Sequence, residues 1–136
     1  MVRPDAARLV RPAERVEADP TPGMLREQAI DVDGMWAGLV RTAPGMTSGW
    51  HHHGDHDTSI YVRSGTLRLE SGPGGADVIR AVAGDFVHVP QRAVHREGND
   101  GDEESQLIVV RAGSGPPTFN VEGPSPHRGE PGPSGA

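Results

Sequence analysis

Glycine and proline interrupt this chain at short intervals, and that spacing restricts its fold more than any other feature of the sequence. The chain has 19 glycines and 13 prolines among 136 residues. Between them lie short runs that alternate apolar and polar residues, such as 66–70, or that are rich in β-branched residues, such as 104–112. No window of a dozen residues has the period of an amphipathic helix. The pattern predicts an all-β protein of about eight or nine short strands, arranged as a sandwich, barrel or jelly roll.

Apolar residues are dense only between Met24 and Ala112, and this predicts the domain organisation. We expect an N-terminal arm at 1–22, a β-barrel at 23–112 and a Pro/Gly-rich C-terminal tail at 113–136. The N-terminal arm is either a disordered tail or a segment that pairs with another subunit. In the tail, 118–123 (TFNVEG) has the composition to pack back on the barrel, and disorder is expected from Ser125 onward.

Composition excludes several classes of function. The chain has no cysteine, so a metal would have to be held by histidine, carboxylate or amide side chains. All 13 basic residues are arginine, which excludes Schiff-base chemistry on lysine. The net charge of −6 argues against a nucleic-acid partner. No apolar run resembles a signal peptide or a membrane span, so we expect a cytoplasmic protein with no membrane partner.

The stretch GWHHHGDHDTS, residues 49–59, concentrates four histidines and two aspartates. If 47–53 is a strand, His51 and His53 point to one face and His52 points to the other. His95, in another predicted strand, is the candidate for a third ligand of one divalent transition metal, Fe, Zn, Mn or Ni. The alternative is that these histidines are imidazoles on an exposed loop.

The spacing around these histidines follows a recognisable pattern in two parts. The first part reads Gly45, five residues, His51, one residue, His53, four residues, Thr58, six residues, Gly65. The second part reads Gly84, five residues, Pro90, one residue, Arg92, two residues, His95, three residues, Asn99.

This pair of motifs resembles the cupin superfamily, and the resemblance covers residues 45–99. Eight of the ten family positions are present, namely Gly45, His51, His53, Gly65, Gly84, Pro90, His95 and Asn99. The resemblance implies a small β-barrel of jelly-roll type with His51, His53 and His95 as metal ligands. It implies a structural turn role for Asn99.

Two positions depart from the family pattern. Thr58 stands where cupins commonly carry a glutamate as fourth ligand, and Arg92 replaces a glycine. A threonine hydroxyl is a poor ligand for a divalent ion, so the site resembles the three-histidine cupins, which include thiol and β-diketone dioxygenases that use Fe(II). Three alternatives stay open: three histidines plus water, three histidines plus Asp57, or a barrel without metal.

Strand alternation predicts which other side chains reach the cavity. With Thr58 inward, Ile60 and Val62 also face inward. With His95 inward, Glu97 shares its face and is a candidate to accept a hydrogen bond from a metal ligand or to act as a catalytic base. His88 and Phe86 share one face of their strand. If that face lines the cavity, His88 is an acid/base or substrate contact. The alternative is that the face points to solvent.

The sequence therefore predicts a metal-binding single-domain cupin that acts on a small molecule at a mononuclear three-histidine site, as a dioxygenase if the metal is iron. The alternatives are a Lewis-acid isomerase, cyclase or lyase, and a non-catalytic cupin that binds a small ligand. The small core favours a homodimer that pairs through sheet faces and exchanged N-terminal strands.

Overall fold

The computed structural model describes residues 5–126, and within them the chain is almost entirely β-structure. The strands are β1 (Val16–Thr21), β2 (Met24–Val32), β3 (Met35–Thr42), β4 (His51–His52), β5 (Asp55–Ser64), β6 (Thr66–Ser71), β7 (Asp77–Val82), β8 (Phe86–Val89), β9 (Arg96–Gly98), β10 (Ser105–Ser114) and β11 (Phe119–Asn120). Two single 3-10 turns, Pro12–Glu14 and Pro73–Gly75, are the helical elements of this region. The all-β prediction is confirmed.

The strands form two layers. One is a six-stranded sheet in the order β1-β2-β3-β10-β5-β8. The other contains the three-stranded sheet β7-β6-β9, which is joined to the β4–β11 pair by backbone bridges from Thr47 to Gly98 and from His51 to His95. All the named strand pairs within these sheets are antiparallel, and short turns join the consecutive pairs β1–β2, β2–β3 and β6–β7.

The core lies between the two layers. The larger sheet supplies Met24, Val40, Ile60, Val62, Val87, Val89, Leu107 and Val109, and the smaller supplies Leu67, Leu69 and Ala81. Each fully buried aliphatic side chain of this kind contributes about 1.5–3 kcal/mol through removal from water. Thr58, Ile60 and Val62 are all buried, which agrees with the inward alternation expected for β5.

Gly65 makes the turn that carries the chain from one layer to the other. Its φ of +76° lies in the left-handed region, and a Cβ atom there would lie 2.8 Å from the Cα of Ser105. Only glycine fits this position without strain. The reversal after β5 places β6 in the second layer, opposite the strands that carry the core of the first.

Part of the predicted N-terminal arm is a strand of the larger sheet. Val16–Thr21 forms β1, which pairs antiparallel with β2 of the same chain through the tight turn at Pro22 and Gly23. At the other end, Phe119 and Asn120 form β11 and pair with His52 and His51, so this part of the tail packs back on the fold.

The disorder expected from Ser125 onward falls mainly on residues 127–136, which lie outside the described residues. Along 5–126 the structure contains no helix that is both long enough and apolar enough to cross a membrane. The domain boundaries at 22 and 112 stay a prediction.

Candidate metal centre

Three histidines from two separate chain segments meet in the smaller layer. His51 lies in β4, His53 follows this strand, and His95 precedes β9. The backbones of His51 and His95 exchange two hydrogen bonds of 2.9 Å, which fixes the two segments side by side. The ring centroids are 4.3–5.0 Å apart, and one nitrogen of each ring lies within 4.8 Å of the corresponding nitrogens of the other two. The structure thus brings together the three histidines that the sequence singled out.

Each of these rings is held through its Nδ1 atom. His51 Nδ1 bonds the carbonyl oxygen of Gly49, His53 Nδ1 that of Pro117, and His95 Nδ1 that of Ala93, each at 2.9 Å. Because a carbonyl oxygen only accepts, each Nδ1 carries the proton and donates it. The Nε2 lone pair of every ring is therefore left free to bind a ligand. Hydrogen bonds of this kind orient metal-binding histidines in proteins.

Burial keeps two of the three rings, His53 and His95, neutral. Loss of water, together with the smaller effect of the nearby charge of Arg111, lowers the pKa of His53 to about 2. The pKa of His95 is also lowered, mainly by burial, although the carboxylate of Glu97 acts in the opposite direction. A neutral imidazole is the form that binds a metal, so these histidines need not lose a proton at neutral pH before they do so.

The donor set fits a divalent transition metal. Imidazole nitrogens suit Zn, Fe, Ni and Cu ions. Three ligands with further positions open are typical of catalytic sites, whereas structural zinc sites have four protein ligands. Among residues 5–126, this is the single cluster of histidine and carboxylate groups close enough to hold an ion.

A cavity of about 480 Å³ opens beside the three histidines, between the two layers. One part of its wall is apolar and is formed by Val40, Ile60, Leu107, Val109 and Pro117. The other part is polar and includes Asp19, Arg26, Ser48, Thr58, Glu97 and Arg111. A volume of this size suits a small molecule with a few polar groups.

Thr58 occupies the family position of the fourth ligand and lines this cavity. Its side chain is buried, and its Oγ1 atom has no hydrogen-bond partner among the residues that the structure describes. The position therefore presents a short hydroxyl where a carboxylate would extend toward the histidines.

The structure does not bring Asp57 to the three histidines. Because Thr58 faces inward, its neighbour on β5 faces outward, and Asp57 is exposed. Its carboxylate accepts hydrogen bonds from His88 Nε2 at 2.9 Å and from Gln91 Nε2 at 3.1 Å. These two bonds, with that from His88 the larger cause, lower the pKa of Asp57. The alternative in which Asp57 is a fourth metal ligand therefore does not agree with its position in the structure.

His88 also lies on the outer face, although one of the two alternatives placed it in the cavity. On β8 the buried side chains are those of Val87 and Val89, so Phe86 and His88 point to solvent. The sequence FVHV has apolar residues in both registers, and pairing with β5 decides which register faces inward. His88 therefore contacts Asp57 and not the histidine cluster.

The other two histidines of residues 49–59 make packing and hydrogen-bond contacts outside the cluster. His52 points away from the cluster, stacks on Phe119 with ring centroids 4.9 Å apart, and accepts a hydrogen bond from the Gly54 amide at 3.0 Å. His56 is buried and donates from Nδ1 to the carbonyl oxygen of His53 at 2.8 Å.

Glu97 does reach the cavity, as its alternation with His95 predicts. Its backbone is anchored to Ser48 by two hydrogen bonds, of 2.8 Å and 3.0 Å. Its carboxylate takes part in no hydrogen bond or ion pair within residues 5–126, although it is close enough to raise the pKa of His95. The structure thus places a free carboxylate beside the histidines.

Arg26 and Arg111 line the cavity as well, and the sequence reasoning missed both. A signal was available for Arg111, since it follows Leu107 and Val109 in the inward register of β10. Arg26 lies next to Val40 across the β2–β3 pair and donates to the Asp19 carbonyl and to Thr21 Oγ1, both at 2.9 Å.

Two packed β-sheets with three orientated histidines beside a cavity define a small jelly-roll protein with a candidate metal centre. The model of the cupin domain matches residues 38–111, which is more than half of the chain. The protein therefore belongs to the cupin family, as the motif spacing predicted. None of the curated proteins compared with the sequence matches it.

Solved structures support the same fold. KdgF from Halomonas sp. aligns with a TM-score of 0.69 and 22% identity, over 81% of this chain and 96% of that chain. The polyketide cyclase RemF from Streptomyces resistomycificus gives 0.70 and 19%, over 85% and 86%. A variant of Bacillus subtilis oxalate decarboxylase OxdC gives 0.66 and 20%, over 80% of this chain and 30% of that one. At these identities the likeness shows the cupin jelly-roll fold.

Proposed function

We propose that this cupin is a metalloenzyme that binds one divalent transition metal through His51, His53 and His95 and transforms a small molecule in the adjoining cavity. The observation that carries the proposal is the set of three Nδ1–carbonyl hydrogen bonds, which leave the three Nε2 atoms free. A surface histidine cluster would have neither this common orientation nor this burial. A bound metal supplies Lewis acidity there and, if it is iron(II), the capacity to activate oxygen.

The residues of the chain supply the rest of the chemistry. The apolar wall of Val40, Ile60 and Val109 excludes water from one side of the cavity and so strengthens polar interactions within it. Glu97 places an unpaired carboxylate on the cavity wall, where its oxygen accepts a proton from a carbon or hydroxyl of the substrate and returns it to the product. This free carboxylate favours an isomerase, cyclase or lyase that moves a proton.

The dioxygenase is the second candidate, and Thr58 is the observation that favours it. A hydroxyl at the position of the fourth ligand leaves more than one coordination position open, as required when substrate and oxygen bind side by side. In a dioxygenase, Glu97 would accept a proton from the substrate as the substrate binds.

One experiment separates these chemistries. The metal-free protein is reconstituted with Fe(II), Zn, Mn or Ni, and each form is incubated in D₂O with pyruvate and acetoacetate while proton exchange is followed by NMR. Exchange that needs both the metal and Glu97, and is lost in Glu97→Gln, supports the proton-transfer enzyme. Oxygen uptake by the Fe(II) form with thiols, β-diketones or phenols supports the dioxygenase. Stoichiometric metal with neither reaction would overturn the enzymatic proposal in favour of a ligand-binding cupin.

We also propose that the chain forms a homodimer through the outer face of the larger sheet. Strand register places Ile108, Tyr61 and Phe86 in one row across β10, β5 and β8. Phe86 is 73% exposed and packs its ring against Tyr61 at 4.9 Å. Sedimentation should give a dimer that Phe86→Asp dissociates, and a monomeric wild-type protein would overturn this.

A further inference from the structure

Arg111 occupies an unusual place for a charged side chain. It lies on β10, opposite Trp36 of β3 and Thr58 of β5, both of which also have their side chains on the inner side of the sheet. It lines the cavity beside the histidines and also a second cavity of about 440 Å³ on the Trp36 side. It is close enough to His53 and His95 for its charge to lower the pKa of both.

The guanidinium group of Arg111 is partly buried but unpaired. Its Nε atom is buried without a hydrogen-bond partner, and the group makes no hydrogen bond or ion pair with any residue from 5 to 126. Its described contact is with the ring of Trp36, whose centroid lies 5.3 Å from Cζ. Loss of water, which is the largest cause, and the charge of Arg26 lower the pKa of Arg111, whereas the more weakly acting charges of Glu97 and Asp19 raise it without bonding the group. Proteins seldom leave a buried cation without an anionic partner.

The other arginines near the core have partners. Arg41 bonds Glu27 at 2.7 Å, and Arg96 bonds Glu70 at 2.9 Å. Arg26, which shares the cavity, has its Nη1 atom bonded to oxygens of Asp19 and Thr21. Arg111 is thus the positively charged side chain of the cavity wall whose guanidinium N–H groups donate no hydrogen bond within the described residues.

We propose that Arg111 binds a carboxylate group of the small molecule that occupies the cavity. The inference rests on the proposed function, since it treats this cavity as the substrate site. A planar guanidinium matches a carboxylate with two parallel hydrogen bonds, and such charge-assisted bonds are the strong ones in a partly dry site. The ring of Trp36 on one side of the guanidinium holds it in place.

The charge of the cavity favours a carboxylate over a phosphate. The ionisable groups of the wall, apart from the three histidines, are Arg26 and Arg111, which are positive, and Asp19 and Glu97, which are negative. Without a metal these four charges sum to zero, so a carboxylate adds one negative charge beside the two acidic groups, whereas a phosphate dianion adds two.

Calorimetric titration with benzoate, benzamide and phenyl phosphate tests the proposal. The full chain is used both as purified and after treatment with a chelator, and metal content is measured on every sample. Benzoate should bind about tenfold more weakly, or worse, to Arg111→Met than to the wild type, as expected for a lost hydrogen bond to a charged group. Benzamide should bind both proteins equally, and phenyl phosphate should bind the wild type more weakly than benzoate does. Arg63→Met, which changes an exposed arginine on β5, is the matched control and should leave benzoate affinity unchanged.

The melting temperature distinguishes a binding role from a structural one. Arg111→Met removes an unpaired buried charge, so its melting temperature should equal or exceed that of the wild type. If Arg111→Met does not fold, Arg111→Lys takes its place and should also lose about tenfold in benzoate affinity because lysine lacks the planar fork.

Equal benzoate affinity of wild type and variant, no benzoate binding to the wild type, or tighter binding of phenyl phosphate would overturn the inference. Benzoate binding that depends on Arg111 in a protein found to hold no metal would overturn the proposed metalloenzyme and leave the carboxylate site standing. Metal binding without benzoate binding would overturn the carboxylate site and leave the proposed metal site standing.

Discussion

His53 donates a hydrogen bond from Nδ1 to the carbonyl oxygen of Pro117 at 2.9 Å, across 64 positions of sequence. The other two histidines of the cluster are held by carbonyl groups only two residues away, those of Gly49 and Ala93. The orientation of His53 therefore depends on the segment that leads into β11, whereas His51 and His95 are orientated by their own turns. This segment, which lies in the predicted C-terminal tail beside the residues expected to pack back on the barrel, is part of the candidate metal centre.

Gly54→Ala should weaken metal binding by displacing that segment. Gly54 has a φ of +57°, and a Cβ atom there would lie 2.7 Å from Cε2 of Phe119 and 3.3 Å from the carbonyl oxygen of Pro116. Movement of these residues would break the bond from His53 to Pro117. Because loss of such an orientating bond costs about tenfold or more in metal affinity, competition with a chromophoric chelator should detect it.

Gly45→Ala is the matched control for this variant. Gly45 also has a left-handed backbone, with a φ of +80°, but an added Cβ atom meets nothing within 4 Å. It should therefore lose about 1 kcal/mol of stability from backbone strain and keep its metal affinity. Equal loss of metal affinity in both variants would show that backbone strain, and not the displaced segment, is responsible.

Acid should destabilise the metal-free protein through His53. Its pKa is about 2 in the folded protein and 6.5 in an unperturbed chain. Between these pH values the unfolded state therefore binds a proton that the folded state does not bind. The stabilisation by the neutral ring is complete above pH 6.5 and is lost as the pH falls from 6.5 toward 2. One such group contributes a slope of up to about 1.4 kcal/mol per pH unit, which chemical denaturation at several pH values can measure.

Two histidine variants isolate this effect from that of the carboxylates. His53→Gln removes the titrating ring and should make the free energy of unfolding fall less steeply below pH 6.5. His88→Gln removes an exposed ring of the outer face and affects the lowered pKa of Asp57, which acts below pH 3.8, so the slope between pH 6.5 and 3.8 should stay close to that of the wild type. A wild-type slope in His53→Gln would contradict the assignment of His53 as a buried neutral imidazole.

Asn99→Ala should destabilise the fold without removing the metal. The buried amide of Asn99 donates to the carbonyl oxygens of Thr42 at 3.0 Å and Glu103 at 2.6 Å, and its oxygen accepts from the Gly101 amide at 3.0 Å. The loss of these bonds leaves buried backbone groups unpaired, so the free energy of unfolding should fall by about 2–3 kcal/mol. Since Asn99 contacts none of the three histidines, the metal content of the folded variant should be unchanged. Loss of metal at unchanged stability would contradict the structural role predicted from the sequence.

Much of the fold and of the histidine cluster could be predicted from local sequence. Alternation along β5 places Thr58, Ile60 and Val62 inward, because a strand turns successive side chains to opposite faces. The same rule brings His51 and His53 to one side and allows Glu97 to follow His95. These relationships span few residues, so the period of the strand decides them.

The remaining features depend on pairing between distant strands. His88 could have faced either way until the β5–β8 register placed Val87 and Val89 inward. Asp57 could have reached the histidines only if the chain after His53 were a loose loop, but β5 already begins at Asp55. The Pro117 carbonyl and the unpaired Arg111 become part of the site only when β10 and β11 are in place. The Pro117 carbonyl carries no local sequence signal of its bond to His53, and alternation along β10 turns Arg111 inward without indicating what surrounds it.

Metal content, measured by elemental analysis, is the decisive test of the three-histidine centre. The full-length protein, produced in medium with Fe, Zn, Mn and Ni, should contain one metal ion per chain. His51→Ala should lose that ion, because it removes one of the three Nε2 donors while the backbone pairing with His95 remains. His88→Ala, on the outer face, should keep the ion. A wild-type protein without metal, or a metal content unaffected by His51→Ala, would contradict the account.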